Sequence, residues 1–381
     1  MILKVKKFQE ACKKILGAVD TDSEIKGVVY GYDTMEINAS NGKLQLNVSN
    51  GEYYASVALD YSLDEEFRAV IDAKVFLTLI SKLTTEDVEL ILTDKALVVN
   101  AGKGSYKFPL KCDDKGMVVL PKIEINHPTV EFVVESSKLQ SMVDFNSKEF
   151  GKGTISNPVQ KFYYLDQEGC ITFTNNTACI NSFPLTQPIQ VLLNQKVVKL
   201  FKLFDNNDVK LTLGHEEVGG LVQTRVKLEN GMVSISTITS NDQSMISKVP
   251  TKSIRAMANK TYDYSVTIET KEFINALDRL LLFGEANTLD KGVGIFEFGN
   301  MGITIYDSRR INQEFVSYHS VNALPETMVS INLGLVELKS SLENSEEEFL
   351  LFNFGQEDKA IVLASGNVRN VIARKVLKGE Q

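Results

Sequence analysis

The chain has 381 residues, 43% of them hydrophobic and 24% charged, with a net charge of −8 at pH 7. These values describe globular material of two or three domains and exclude a disordered chain. They also exclude a protein that grips nucleic acid with its whole surface, although not a basic stripe on an acidic body. No run of eighteen apolar residues occurs, so no membrane-spanning helix is expected. The lysine-rich stretch Met1 to Leu16 has no apolar core of signal-peptide length. Cys12, Cys112, Cys170 and Cys179 are widely spaced with no Cys-x-x-Cys, which predicts buried, reduced thiols and a cytosolic setting.

In chain order, the sequence predicts a strand at Ile2–Val5 and a helix to Leu16. The strands Met35–Ala39, Leu44–Val48 and Tyr53–Leu59 follow, separated by Asn41-Gly42 and Asn50-Gly51. A second helix is predicted over Ala73–Leu83, followed by strands at Val88–Leu92, Leu97–Ala101 and Tyr106–Leu110. The pattern recurs with Glu131–Val134, a helix near Lys138–Phe145, and strands at Phe162–Leu165, Cys170–Thr174 and Cys179–Phe183. A helix over Gln195–Phe204 leads into Val209–Leu213, Leu221–Leu228 and Met232–Ile238. The fifth unit is Tyr264–Ile268, a helix over Lys271–Phe283, then Gly294–Phe298, Gly302–Tyr306 and Gln313–Tyr318. The sixth is Met328–Ile331, a helix over Leu333–Leu342, then Glu348–Phe354, Ala360–Ala364 and Val371–Val376.

Alternate units recur about every 130 residues. The reading is an α+β chain of three tandem domains, 1–124, 125–252 and 253–381, each made of two strand–helix–meander halves. Pro121–Pro128 and Pro250–Lys260 are the predicted linkers.

Each helix carries an apolar stripe, such as Phe8, Cys12 and Ile15, that belongs against a sheet. The other faces lean basic. Lys196, Lys199 and Lys202 recur every third residue on the fourth helix. Lys6 and Lys13 lie on the first, Lys74 and Lys82 on the second, Lys138 on the third, Lys271 and Arg279 on the fifth, and Lys339 on the sixth. One such face is ordinarily just solvated. Six with the same bias, if gathered on one side, suit a phosphate backbone and read no bases.

The chemistry-bearing motifs fail. Gly102-Lys103-Gly104-Ser105 and Gly151-Lys152-Gly153-Thr154 place a glycine where a phosphate loop needs Lys directly before Ser or Thr. His127, His215 and His319 lie far apart and away from any cysteine pair, so neither a metal site nor a cofactor is expected. No nucleophile elbow occurs.

The order of six units resembles the bacterial sliding clamp, the β subunit of the replicative DNA polymerase. Arg68-Ala69-Val70-Ile71-Asp72-Ala73-Lys74-Val75-Phe76, the meander through Gly102–Leu110 and Phe162-Tyr163-Tyr164-Leu165 carry the likeness. So does Asn332, flanked by Ile331 and Leu335 where the family has aromatic residues. The resemblance implies a homodimeric ring with helices inside and sheets outside. It encircles double-stranded DNA, tethers a DNA polymerase and is loaded by an ATP-dependent clamp loader, in the cytoplasm of a bacterium or of a phage-infected host. It implies no catalytic site. Leu165, Thr174, Pro250, Val371, Ala373 and Leu377 match positions of the family's partner-peptide pocket, and Leu282 and Phe283 match its dimer interface. The segment Thr174–Cys179 and the tail Ala373–Leu377 depart from the family pattern, so the peptide preference should differ. Two alternatives stay open: a structural ring or interaction hub, such as a viral assembly component, without DNA, and a hydrolase with a dispersed site.

Overall fold

Six times the chain runs from a strand directly into a helix, and the residues at these junctions show why. Asp72 ends one strand, and its carboxylate accepts the Val75 N–H at 3.1 Å, capping the helix that follows. Asn41 and Gly42 both take positive φ, 51° and 70°, as a two-residue hairpin requires. The computed structural model describes residues 1–19, 33–61, 66–146, 157–218, 220–239, 243–284 and 292–376.

The elements begin with β1 (Ile2–Lys4), α1 (Val5–Leu16), β2 (Thr34–Ser40), β3 (Lys43–Ser49), β4 (Tyr53–Asp60), β5 (Phe67–Asp72) and α2 (Ala73–Ser81). Then come β6 (Asp87–Leu92), β7 (Ala96–Ala101), β8 (Gly104–Pro109) and the small hairpin β9 (Cys112–Asp113) and β10 (Gly116–Met117). Next are β11 (Pro128–Glu135), α3 (Ser136–Asn146), β12 (Phe162–Asp166), β13 (Gly169–Phe173), β14 (Thr177–Ser182), β15 (Gln190–Asn194) and α4 (Gln195–Lys199). A 3₁₀ turn, Leu200–Leu203, leads to β16 (Asp208–Val218), β17 (Leu221–Glu229) and β18 (Val233–Thr239). The rest is α5 (Gln243–Ile246), α6 (Thr251–Ala258), β19 (Tyr264–Glu269), α7 (Thr270–Gly284), β20 (Val293–Phe298), β21 (Gly302–Asp307), β22 (Gln313–Ala323), β23 (Val329–Gly334), α8 (Leu335–Leu342), β24 (Phe349–Phe354), β25 (Ala360–Ser365) and β26 (Val368–Ala373).

The chain divides into two compact units, Met1–Ser137 with Lys199–Ser240, and Lys138–Val198 with Asn241–Gln381. In the first unit β1-β6-β7-β8 form one sheet and β11-β16-β17-β18-β4-β3-β2-β5 another, the latter joined through the antiparallel pairing of β18 with β4. Phe8 of α1 and Phe76 of α2 meet edge-on at 6.0 Å, and Phe76 meets Phe108 at 5.2 Å. In the second unit twelve strands follow one another from β15 to β23, and β14 pairs with β26. There Phe273, Leu277 and Leu280 of α7 and Leu335, Leu338 and Leu342 of α8 close a single core over the strands.

The leading strand of each half does not pair with its own meander. β1 joins β6, β5 joins β2, β11 joins β16, β15 joins β12, β19 joins β24 and β23 joins β20. The halves therefore exchange strands, and neither completes a sheet alone.

The structure corrects the sequence reading at three points. The fourth helix is five residues long before it tightens into the 3₁₀ turn. The segment Pro250–Lys260, read as a linker, holds α6, because Ile254 and Ala258 stand one helical turn apart and bury together. Cys112 is exposed on the β9–β10 hairpin, whereas Cys12 and Cys170 are buried and Cys179 partly so.

Candidate functional site

In the first unit α1 turns Val5, Phe8, Ala11, Cys12 and Ile15 inward, which leaves Lys6 and Lys13 on its solvent face. α2 buries Ala73, Phe76, Leu77 and Ile80 and exposes Lys74; Lys82 is exposed just past its end. The two helices lie side by side through Phe8 and Phe76. Lys14 near the end of α1 forms an ion pair with Asp205, just beyond the turn that bears Lys202, and Gly17 lies against Leu203. Lys199 and Lys202 are thus neighbours of α1, exposed because Val198, Leu200, Phe201 and Leu203 take the buried positions between them. Among the described residues Lys6, Lys13, Lys74, Lys82 and Lys199 form no ion pair.

The second unit treats its cations differently. Arg279 of α7 makes a two-pronged contact with Glu314 of β22, with both N–O distances 2.7 Å. The hydrogen bond to Glu314 raises the Arg279 pKa, and the same bond holds the Glu314 carboxyl below its ordinary value. Lys339 of α8 forms an ion pair with Asp278 of α7, and this hydrogen bond raises its pKa too. Lys271 is exposed and forms no ion pair among the described residues, while Lys138 and Lys196 are half-buried. Sequence reading counted Arg279 and Lys339 as available charges. It missed their carboxylates, which lie 35 and 61 positions away and give no periodic signal.

The described residues matched to a peptide pocket, Leu165, Thr174, Pro250, Val371 and Ala373, fall in the second unit. Ala373 N–H donates to Asn176 O at 2.8 Å, which brings the end of β26 onto the β13–β14 turn that Thr174 closes by accepting the Thr177 N–H at 3.1 Å. Val371 belongs to an apolar cluster with Ile171, Phe173, Ala178, Ile180 and Val362. Ile254 and Ala258 of α6 belong to the same cluster and cover it, and Pro250 caps α6. Arg255 holds the helix down through Asp166 at 2.7 Å and Glu168 at 3.2 Å. Leu165 is buried on the opposite face of β12 from Tyr164, which joins the cluster, so Leu165 is not brought to it. Leu377 lies outside the described residues.

Leu282 and Phe283, near the end of α7, are 76% and 49% exposed, so neither is core. Phe315 on β22 is also exposed, and β8 is the open edge of its sheet. No group of His, Cys, Asp and Glu side chains suited to a metal ion occurs among the described residues. No described helix is long and apolar enough to cross a membrane.

No model of a protein family matches the sequence, and no curated protein matches it. Solved structures do. The chain is similar to the sliding clamp of Pseudomonas aeruginosa at 13% identity with a TM-score of 0.79, covering 99% of each chain. It is similar to the Bacillus subtilis sliding clamp at 15% identity and TM-score 0.77, and to a putative DNA polymerase III beta subunit of Eubacterium rectale at 14% and 0.76, each covering 98% of both chains. The fold is that of the bacterial DNA sliding clamps. At these identities the likeness speaks for the fold, and the clamp fold explains the six-unit period and the strand exchange together.

Proposed function

We propose that this chain is a DNA sliding clamp, a processivity factor without its own catalytic site. Two copies would close into a ring around duplex DNA, and the ring would tether a DNA polymerase and other replication proteins. The observation that carries this reading is the coincidence of a clamp fold along the whole chain with exposed helix lysines that form no ion pair among the described residues. Lys6, Lys13, Lys74, Lys82, Lys199 and Lys271 are the proposed phosphate contacts, with Lys138, Lys196 and Lys202 beside them. Flexible ammonium groups suit a ring that must slide, because each makes a weak, non-directional contact with phosphate. Arg279 and Lys339 contribute less, because each already faces a carboxylate.

Domains of 1–124, 125–252 and 253–381 follow from this reading. Ring closure would join the open edge of β8 in one protomer to the β22 region of the next, beside Leu282 and Phe283. The partner peptide would approach Thr174, Val371 and Ala373, where α6 restricts the apolar surface to what Ile254 and Ala258 leave free. An ATP-dependent loader would open the ring in the cytoplasm.

The test is topological. The protein should run in solution at twice 42.4 kDa. Once loaded, it should stay on a closed circular duplex and leave within minutes when the circle is cut. Equal loss from closed and linear DNA would refute the proposal.

A further inference from the structure

The chain carries Asn-Gly three times, at Asn41-Gly42, Asn50-Gly51 and Asn230-Gly231, and each pair sits in a turn between two strands. Such a pair has a chemistry beyond shaping hairpins. The glycine nitrogen, unshielded by a side chain, is free to attack the carboxamide carbon of the asparagine before it. In sequence the three pairs are equal. The folded chain makes them unequal.

Asn50 is 6% exposed, and its Oδ1 accepts the N–H groups of Glu52 and Tyr53, both at 3.0 Å. The Gly51 nitrogen beside it donates to Ser49 Oγ at 3.4 Å, which leaves its proton committed. Asn230 is half-buried, and its Oδ1 accepts the Val233 N–H at 3.1 Å. In both turns the backbone holds the carboxamide where it is. Asn41 differs: it is exposed, and its carboxamide makes no hydrogen bond among the described residues. Nor does the Gly42 nitrogen.

We infer that Asn41 is a site of spontaneous deamidation and that folding confines the reaction to it. The Gly42 nitrogen gives its proton to hydroxide and attacks Asn41 Cγ. The bond from Cγ to the carboxamide nitrogen breaks, and ammonia leaves with a proton taken from water. Water then opens the five-membered imide at either of its carbonyls. Opening at Cγ leaves aspartate in the ordinary backbone. Opening at the backbone carbonyl of residue 41 leaves isoaspartate, with the main chain running through Cβ and Cγ. Either product adds a negative charge next to Lys43. Aspartate tolerates positive φ, so that product keeps the hairpin. Isoaspartate lengthens the loop by one methylene, which disturbs the pairing of Ser40 with Lys43 and the 3.0 Å bond from the Tyr61 N–H to Gly42 O. The site depends on this turn alone and stands or falls independently of DNA encirclement.

Trypsin separates the three sites, placing Asn41 in residues 27–43, Asn50 in 44–68 and Asn230 in 228–248. The full-length protein, aged at neutral pH, digested and read by tandem mass spectrometry, should gain one deamidation at Asn41 about fivefold faster than at Asn230, because a hydrogen bond that must first break slows the attack by about that factor. Asn50, held by two, should be slower still. Protein aged in urea should show similar rates at all three sites. An Asn41→Gly variant keeps positive φ at the turn and should lose the early acidic species on isoelectric focusing. Equal rates in the folded protein, faster reaction at Asn50 or Asn230, or no reaction at Asn41 would overturn the proposal. So would the same rank order in urea, or an acidic species that persists in the variant.

Discussion

A lysine on a helix is defined less by its exposure than by what stands within reach of its ammonium group. Lys199 and Lys339 look equivalent in the sequence, yet Lys199 has no carboxylate partner among the described residues and Lys339 is held by Asp278. The clamp proposal then makes unequal demands on them. Lys199→Gln should lower the slope of log binding constant against log salt by about 0.9, the increment of one phosphate contact on duplex DNA. Lys339→Gln should change it far less. Equilibrium binding to a short linear duplex, titrated across a salt series, separates the two. The basic bias of the helices was legible because lysines fall outside each apolar stripe. Which lysines are neutralised was not, since the neutralising carboxylates come from other elements.

Among the elements, α6 shows where sequence patterning runs out. Its eight residues offer only Ile254 and Ala258 as a buried stripe, and the preceding Pro250 reads as a breaker. Nothing in that segment announces the cluster of Ile171, Phe173, Ala178 and Val371 that makes a helix worth forming. The longer helices were legible because three or four apolar positions recur on each. The meander strands were legible because their turns carry Asn-Gly or similar signals. β15, with three consecutive buried residues, Val191–Leu193, gives no alternation and was overlooked. Ile254→Ala should weaken the docking of α6 by about 2 kcal/mol, the low end for truncating a buried isoleucine. Hydrogen exchange should then show faster exchange at Thr251–Ala258 while β19–β26 keep their protection. Uniform loss of protection would mean that α6 is integral to the core.

For the whole molecule, the period of six was legible and the pairing was not. A strand followed by a helix and a meander reads as a self-contained module, but every leading strand pairs in the other half's sheet. The module visible in the sequence is therefore not a folding unit. A fragment of residues 1–61 lacks both β6, the partner of β1, and β5, the partner of β2. It should show no cooperative urea transition by circular dichroism, and a sharp transition would contradict the exchange. The surfaces proposed to close a ring were legible only through the family likeness. Phe283 continues the apolar stripe of α7 in the sequence, and only its exposure sets it apart from core, whereas Leu282 falls on the opposite, solvent face of the helix.

The pairing of β4 with β18 also sets a timetable for synthesis. Residues 53–57 leave the ribosome long before their partners at 233–237, an interval of roughly 180 residues and about ten to thirty seconds at ordinary elongation rates. Throughout that interval β4 presents an unpaired edge bearing Ala55 and Val57, the kind of edge that recruits strands from other nascent chains. Spacing between ribosomes on one message should therefore govern the yield of correctly folded chain, and slower initiation should raise it.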